Sequence, residues 1–328
     1  MDAMEKRKQI MQAGSLRSST KSFLLSGALQ ALLVCAAAFV APIACPKPQP
    51  LVAPDSVTAY KDLFYVPGSH NPEQALDLYI PKDHRAGEKL PLIIWVHGGG
   101  WLGGDKSENM WMQIVKGGFA AASVNYRFTD EAQFPAQIFD VKAAVRWLRA
   151  HASEYDIDPN RIGAWGASAG GHLVALLGTS SGIKELEGDE GNPSFSSRVE
   201  AVCDYFGPSD LVDVLDQRQR QTGKAPVEPL VDKLLGGTPA ERPEKARLAS
   251  PVTFVTKHAP PFLIVHGDRD PIVPFQQSLE LAETLKKHGV ECSLIIVRGG
   301  LHGDFKGRPD IPKTTIQFFK DKLTTERK

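Results

Sequence analysis

Between residues 60 and 323 the chain alternates short apolar runs with longer stretches whose apolar residues recur at helical spacing. Leu90–Val96 (LPLIIWV) is apolar throughout, as expected of a strand buried on both faces. Phe119–Val124 is a second such run, and Ala75–Ile80 alternates as a strand does. Arg161–Trp165, Ala201–Phe206, Phe262–Val265 and Cys292–Val297 read as further strands. Over Gln137–Ala152, Phe139, Val141, Ala144, Val145 and Leu148 fall on one broad helical face. Gly170–Leu177, Pro274–His288 and Pro312–Leu323 are predicted helices as well, the last closing the fold. Strands alternating with helices predict one mostly parallel sheet covered on both sides.

Two stretches break the rhythm. Gly182–Ser197 is polar and rich in Gly, Glu and Ser, so it reads as a loop. Gly207–Val255 lies between two strands and is long for a crossover. Its scattered apolar residues (Leu211, Val214, Leu230, Leu234, Leu235) predict a small helical insertion over one end of the sheet, where α/β proteins hold their sites.

The N-terminal region has a different texture. A basic start (Lys6, Arg7, Lys8, Arg17, Lys21) precedes an apolar run from Phe23 to Ala41, and small residues gather at its end. Residues 1–45 therefore read as a signal peptide, or as an N-terminal anchor if the run stays uncut. Either way the body is expected outside the cytoplasm, secreted or periplasmic in the first case and membrane-anchored in the second. Pro42-Ile43-Ala44-Cys45 is a poor lipidation site, because proline stands where an aliphatic residue is needed. Residues 46–58 are a proline-rich linker, and 59–328 form a single domain.

Composition narrows the function classes. Lys plus Arg and Asp plus Glu each number 38, so the balanced charge argues against nucleic acid as a partner. Of the four cysteines only Cys203 and Cys292 fall in the body, each in a strand-like stretch. They read as two buried thiols, with a disulfide between them as the alternative. No His, Cys, Asp or Glu cluster has ligand spacing, so neither a metal nor another cofactor is expected.

The chemistry concentrates in four short motifs. Gly166-Ala167-Ser168-Ala169-Gly170 follows a strand and opens a helix, the context of a G-x-S-x-G nucleophile elbow. The residues two before and two after Ser168 must be tiny for strand and helix to approach, and the helix N-terminus faces the developing charge. His97-Gly98-Gly99-Gly100-Trp101 follows LPLIIWV. Consecutive glycines cost folding entropy, and they make sense where backbone N–H groups must face an oxyanion. With the N–H after the nucleophile, the donors would be Gly99, Gly100 and Ala169.

A serine nucleophile needs a base and a carboxylate to orient it, and on this architecture the chain order is serine, acid, histidine. Of the later histidines, His172 lies one turn into the helix after the elbow, and His288 ends a polar helix. His258 is a further candidate by position alone, while His266 follows a buried strand and reads as structural. His302, in Gly299-Gly300-Leu301-His302-Gly303 after the last strand, is the best base. Asp268 and Asp270 compete as the acid. Asp270 lies deeper in the loop before an apolar turn that can pin it, whereas Asp268 is placed to stabilise the turn.

Together HGGGW (97–101), NYR (125–127), GASAGGH (166–172), HGDRDPIVP (266–274) and LHG (301–303) resemble the α/β-hydrolase fold-3 carboxylesterases. That group includes the hormone-sensitive-lipase-like and secreted bacterial feruloyl-esterase-like enzymes. The resemblance implies a mostly parallel eight-stranded sheet flanked by helices, with the insertion between strands 6 and 7. It also implies a structural His97, oxyanion donors at Gly99 and Gly100, and the acid at Asp270. The N-terminal helical cap usual in hormone-sensitive-lipase-like members is missing, which leaves Trp101 and the Gly207–Val255 insertion as expected walls of the acyl pocket. The expected function is ester hydrolysis by a Ser-Asp-His triad, on short-chain acyl esters or on acetyl and feruloyl esters of polysaccharides. The alternative is amide or formamide hydrolysis at the same site, as in kynurenine-formamidase-like and prolyl-peptidase-like relatives. A non-catalytic binding protein on this fold would be expected to carry a broken triad or loop, and neither is broken here. The expected partner is the small or polysaccharide-linked ester substrate, with a membrane involved only through an uncut leader.

Overall fold

A computed structural model describes residues 54–85, 87–223, 229–305 and 307–324. The leader and most of the linker lie outside the described residues. Eight strands are described: β1 (Val57–Phe64), β2 (Ala75–Pro81), β3 (Leu90–Val96), β4 (Ala120–Val124), β5 (Ile157–Ala167), β6 (Ala201–Tyr205), β7 (Phe262–Gly267) and β8 (Cys292–Val297). They form one sheet in the order β1-β2-β4-β3-β5-β6-β7-β8. Strand β2 runs antiparallel to both its neighbours. From β4 through β8 every pairing is parallel.

The described helices are α1 (Met110–Lys116), α2 (Ala136–Ala150), α3 (Ala169–Thr179), α4 (Lys184–Glu187), α5 (Val214–Thr222), α6 (Leu230–Leu235), α7 (Pro243–Leu248), α8 (Phe275–Lys287) and α9 (Asp310–Leu323). Strand alternation divides the core in two. Leu92, Ile94 and Val96 pack with Val141 and Val145 of α2, Leu173 of α3 and Leu281 of α8. Ile93 and Trp95 face the other way, toward Trp111 and Ile114 of α1 and Phe319 of α9. A strand with apolar contacts on both sides has no position for a polar residue, which explains the unbroken run in β3.

Some elements depart from the sequence expectation. Val57 and Thr58, read as the end of the linker, already belong to β1 and pair with Pro81 and Ile80 of β2. Strand β5 starts at Ile157 rather than Arg161, because Leu90 pairs with Ile157 before a register irregularity. Helix α1 was not anticipated, and α4 makes a single turn inside the polar stretch. The insertion between β6 and β7 contains α5, α6 and α7 and a 3-10 turn at Pro251–Phe254. Cys203 and Cys292 are free thiols. The first is buried in β6 with Thr315 Oγ1 3.8 Å from its sulfur.

Candidate active site

The carboxyl ends of β3, β5, β7 and β8 open onto one crevice, as ligand sites do in parallel α/β sheets. Ser168 sits between β5 and α3 with φ 55° and ψ −119°. A non-glycine residue in that region stores roughly 1–3 kcal/mol of strain and persists only where its surroundings hold it. Here its N–H donates to the Tyr205 carbonyl at 2.8 Å. Close approach also explains the flanking glycines. A Cβ on Gly166 would lie 2.3 Å from the Gly170 carbonyl oxygen, and one on Gly170 would lie 2.0 Å from that of Val96.

The His97–Trp101 loop is clamped from below. His97 is fully buried and its ring stacks on Tyr126 at 4.6 Å. Burial pushes its imidazole down to about 4, so it stays neutral. The Tyr126 hydroxyl donates to the carbonyl oxygens of His97 (3.2 Å) and Gly98 (3.4 Å). Gly99 has φ +108°, and a Cβ there would stand 2.0 Å from Gly103 O, so no other residue fits. At the loop's far end the Lys106 N–H donates to Asn125 Oδ1 at 2.6 Å. The Lys106 ammonium pairs with Asp62 and buried Asp77, each at 2.7 Å. Arg127, the third residue of the NYR motif, pairs with buried Asp140 at 2.7 Å.

Three side chains meet in a line. His302 Nε2 is 3.0 Å from Ser168 Oγ. His302 Nδ1 is 2.6 Å from Asp270 Oδ2. Asp270 is fully buried, and its other oxygen accepts the N–H groups of Ile272 (2.8 Å) and Val273 (3.0 Å). Burial alone would raise this carboxyl, but hydrogen bonds from His266 and His302 prevail and hold it at about 2. Asp268 points elsewhere, accepting the Gly299 N–H at 2.6 Å and pairing with Arg298 at 3.2 Å. It fastens the turn between β7 and the loop after β8.

His172, pushed down to about 4 by burial, is packed away from Ser168. It accepts from the Trp101 indole N–H at 3.2 Å, and its Nε2 lies 2.6 Å from the Ala249 carbonyl oxygen. It thereby ties Trp101 to the end of the insertion.

Two cavities adjoin Ser168. One, of about 310 Å³, is walled by Trp101, Val214, Leu215, Leu230, Val231 and Val273, with Arg218 at its edge. The other, of about 440 Å³, includes His302, Phe206 and Glu108. Ser168, Gly100, Leu230 and Ile272 line both. Glu108 accepts the Trp95 indole N–H at 3.0 Å, and burial pushes its carboxyl up.

Several of these neighbours were invisible in the sequence. Phe206 sets its ring edge-on to His302 at 4.7 Å. Leu230 reaches the glycine loop, its Cδ1 3.0 Å from where a Cβ on Gly100 would stand. Neither has a motif of its own. Their only trace is position, Phe206 at the end of a strand and Leu230 in the insertion.

This sheet order, with Ser168 between a parallel strand and a helix, defines the α/β-hydrolase fold. The BD-FAE family matches residues 76–285, and the chain belongs to that family. Among curated relatives, the esterase LipQ of Mycobacterium tuberculosis is 31% identical over 232 residues, which span 70% of this chain and 53% of that protein. The chain thus spans about half the length of the curated relatives it matches. Among solved structures, a truncated carbohydrate esterase from gut microbiota is 35% identical with a TM-score of 0.76, covering 83% of this chain and 99% of that one. An acetyl ester-xyloside bifunctional hydrolase from Caldicellulosiruptor lactoaceticus is 29% identical with a TM-score of 0.63, covering 75% and 88%.

Proposed function

We propose that the chain hydrolyses carboxylic esters through an acyl-enzyme on Ser168. The observation that carries this is the unbroken hydrogen-bonded line from Ser168 Oγ through His302 to Asp270. His302 Nε2 takes the serine proton as Oγ attacks the carbonyl carbon, and Asp270 holds the imidazole with its proton on Nδ1. The backbone N–H groups of Gly99, Gly100 and Ala169 stabilise the oxyanion, aided by the N-terminus of α3. His302 then protonates the departing alcohol, and water releases the acid by the same route.

The two cavities divide the substrate. The alcohol must leave beside the group that protonates it, so it occupies the cavity that contains His302. The acyl group occupies the apolar one walled by Trp101 and the insertion. Its lining favours short to medium acyl chains and aromatic acids. Glu108 on the other side suits an alcohol rich in hydroxyls, as in acetyl or feruloyl esters of polysaccharides, and the carbohydrate esterases among the similar structures agree with that choice. The basic, apolar leader supports action outside the cytoplasm.

A panel of p-nitrophenyl acetate, butyrate and octanoate, methyl ferulate and an aminoacyl anilide tests the reading. Esters should turn over and the anilide should not. Faster cleavage of the anilide would overturn the proposal in favour of an amidase.

A further inference from the structure

His266 closes β7 and is fully buried. Its Nε2 lies 3.1 Å from the Val273 carbonyl oxygen and 3.2 Å from Asp270 Oδ2. Both neighbours are acceptors, so the ring proton belongs on Nε2. Nδ1, 2.7 Å from Ser278 Oγ, then accepts the hydroxyl proton of that buried serine on α8. The ring stands edge-on to Phe275 at 5.7 Å and to Phe206 at 6.4 Å, which fixes its plane.

We propose that His266 is a positioning residue of the hydrolytic site, which shares Asp270 Oδ2 with His302 and thereby sets the basicity of His302. The inference rests on the reading of Ser168, His302 and Asp270 as the triad. Oδ2 takes the N–H of His302 at 2.6 Å and has His266 Nε2 at 3.2 Å, whose one proton is shared with the Val273 carbonyl, while Oδ1 receives two N–H groups from the backbone. Such a carboxylate is held at both oxygens. Its charge is also divided. An undivided Oδ2 would stabilise the His302 imidazolium more strongly and keep the base protonated to higher pH. With His266 in place, His302 is free to take the Ser168 proton at lower pH.

The titratable groups around His266 come from three directions: Asp204 on β6, Asp270 after β7, and His302 after β8. Helix α8 presents the neutral Ser278 and Phe275. The depressed carboxyl of Asp270 agrees with two imidazole donors rather than one.

The test is the pH profile of kcat/KM for p-nitrophenyl acetate in wild type, His266→Leu, His266→Ala, His266→Gln and Ser278→Ala. Leucine removes the donor, and the acidic limb should rise by about 0.5–1 pH unit. Glutamine carries an amide N–H that can reach the Nε2 position, and it should restore most of the wild-type limb. Ser278→Ala leaves Nε2 facing the same two acceptors, so the proton stays there and the limb should not move. A packing role alone would lower kcat or Tm and leave the limb unmoved, and that result in His266→Leu overturns the inference. If the leucine variant does not fold, an unmoved limb in His266→Ala does the same. Ser168→Ala in parallel separates the two claims. Retained hydrolysis there defeats the triad itself, whereas lost hydrolysis with unmoved limbs in His266→Leu and His266→Ala defeats only the role of His266.

Discussion

At the scale of single residues, two aspartates in one loop have opposite assignments. Asp270 is buried with four donors around its carboxylate. Asp268 faces the surface turn and its Arg298 partner. Asp270→Asn exchanges an acceptor oxygen for an amide that cannot hold His302 in the right tautomer. Its kcat/KM on p-nitrophenyl acetate should fall by about 10³-fold or more. Asp268→Asn should stay within about tenfold, on the scale of lost surface-turn bonds. The reverse order of losses would move the acid to Asp268. The sequence could rank these two residues because chain position before an apolar turn is itself local information. It could not reveal the contact of His266 with Asp270, which depends on how the loop curls back over β7.

At the scale of elements, legibility followed burial symmetry. Strands β3 and β4 are buried along their whole length and announce themselves as apolar runs. Strand β1 lies at the sheet edge and buries little beyond Val57, so its pattern fades into the linker. Helix α1 is short and buries only Trp111 and Ile114, too few for a period to emerge. The elbow was readable because steric demand fixes small residues at set offsets from Ser168. The insertion was expected as a cavity wall, but the reach of Leu230 to the glycine loop was not legible, because α6 meets that loop only in three dimensions. That wall yields an expectation of its own. Leu230→Ala would remove the side chain shared by both cavities and lengthen the acyl side. The ratio of octanoyl to acetyl ester kcat/KM should rise roughly 5–10-fold, equivalent to about 1–1.4 kcal/mol of acyl surface newly buried in the space opened. An unchanged ratio would place the acyl group elsewhere.

At the scale of the whole molecule, buried ionisable groups couple stability to pH. His97 and His172 are pushed down to about 4 by burial. An unfolded histidine titrates near 6.5, so from roughly pH 6.5 to 4 the unfolded chain binds protons that the fold refuses, and stability falls as pH falls. Asp204 opposes them, since burial pushes its carboxyl up to about 6 and the fold holds that proton where the unfolded chain does not. The two histidines outnumber this carboxyl, so the net effect of these three groups is a loss of stability as pH falls from about 6.5 to 4. Urea midpoints should therefore drop between pH 6.5 and 4.5. His172→Gln, which keeps an amide donor and acceptor but cannot titrate, should show a shallower drop. Equal slopes would mean that His172 is not held neutral by the fold.

The central claim is that Ser168 is the nucleophile, and covalent capture tests it most directly. Native chain would be treated with a fluorophosphonate, the adduct located by peptide mass, and residual hydrolysis of p-nitrophenyl acetate followed in the same samples. The expected result is a single adduct on Ser168, activity that falls in step with labelling, and no adduct in Ser168→Ala. An adduct on another residue, or hydrolysis that survives complete labelling of Ser168, would contradict the account.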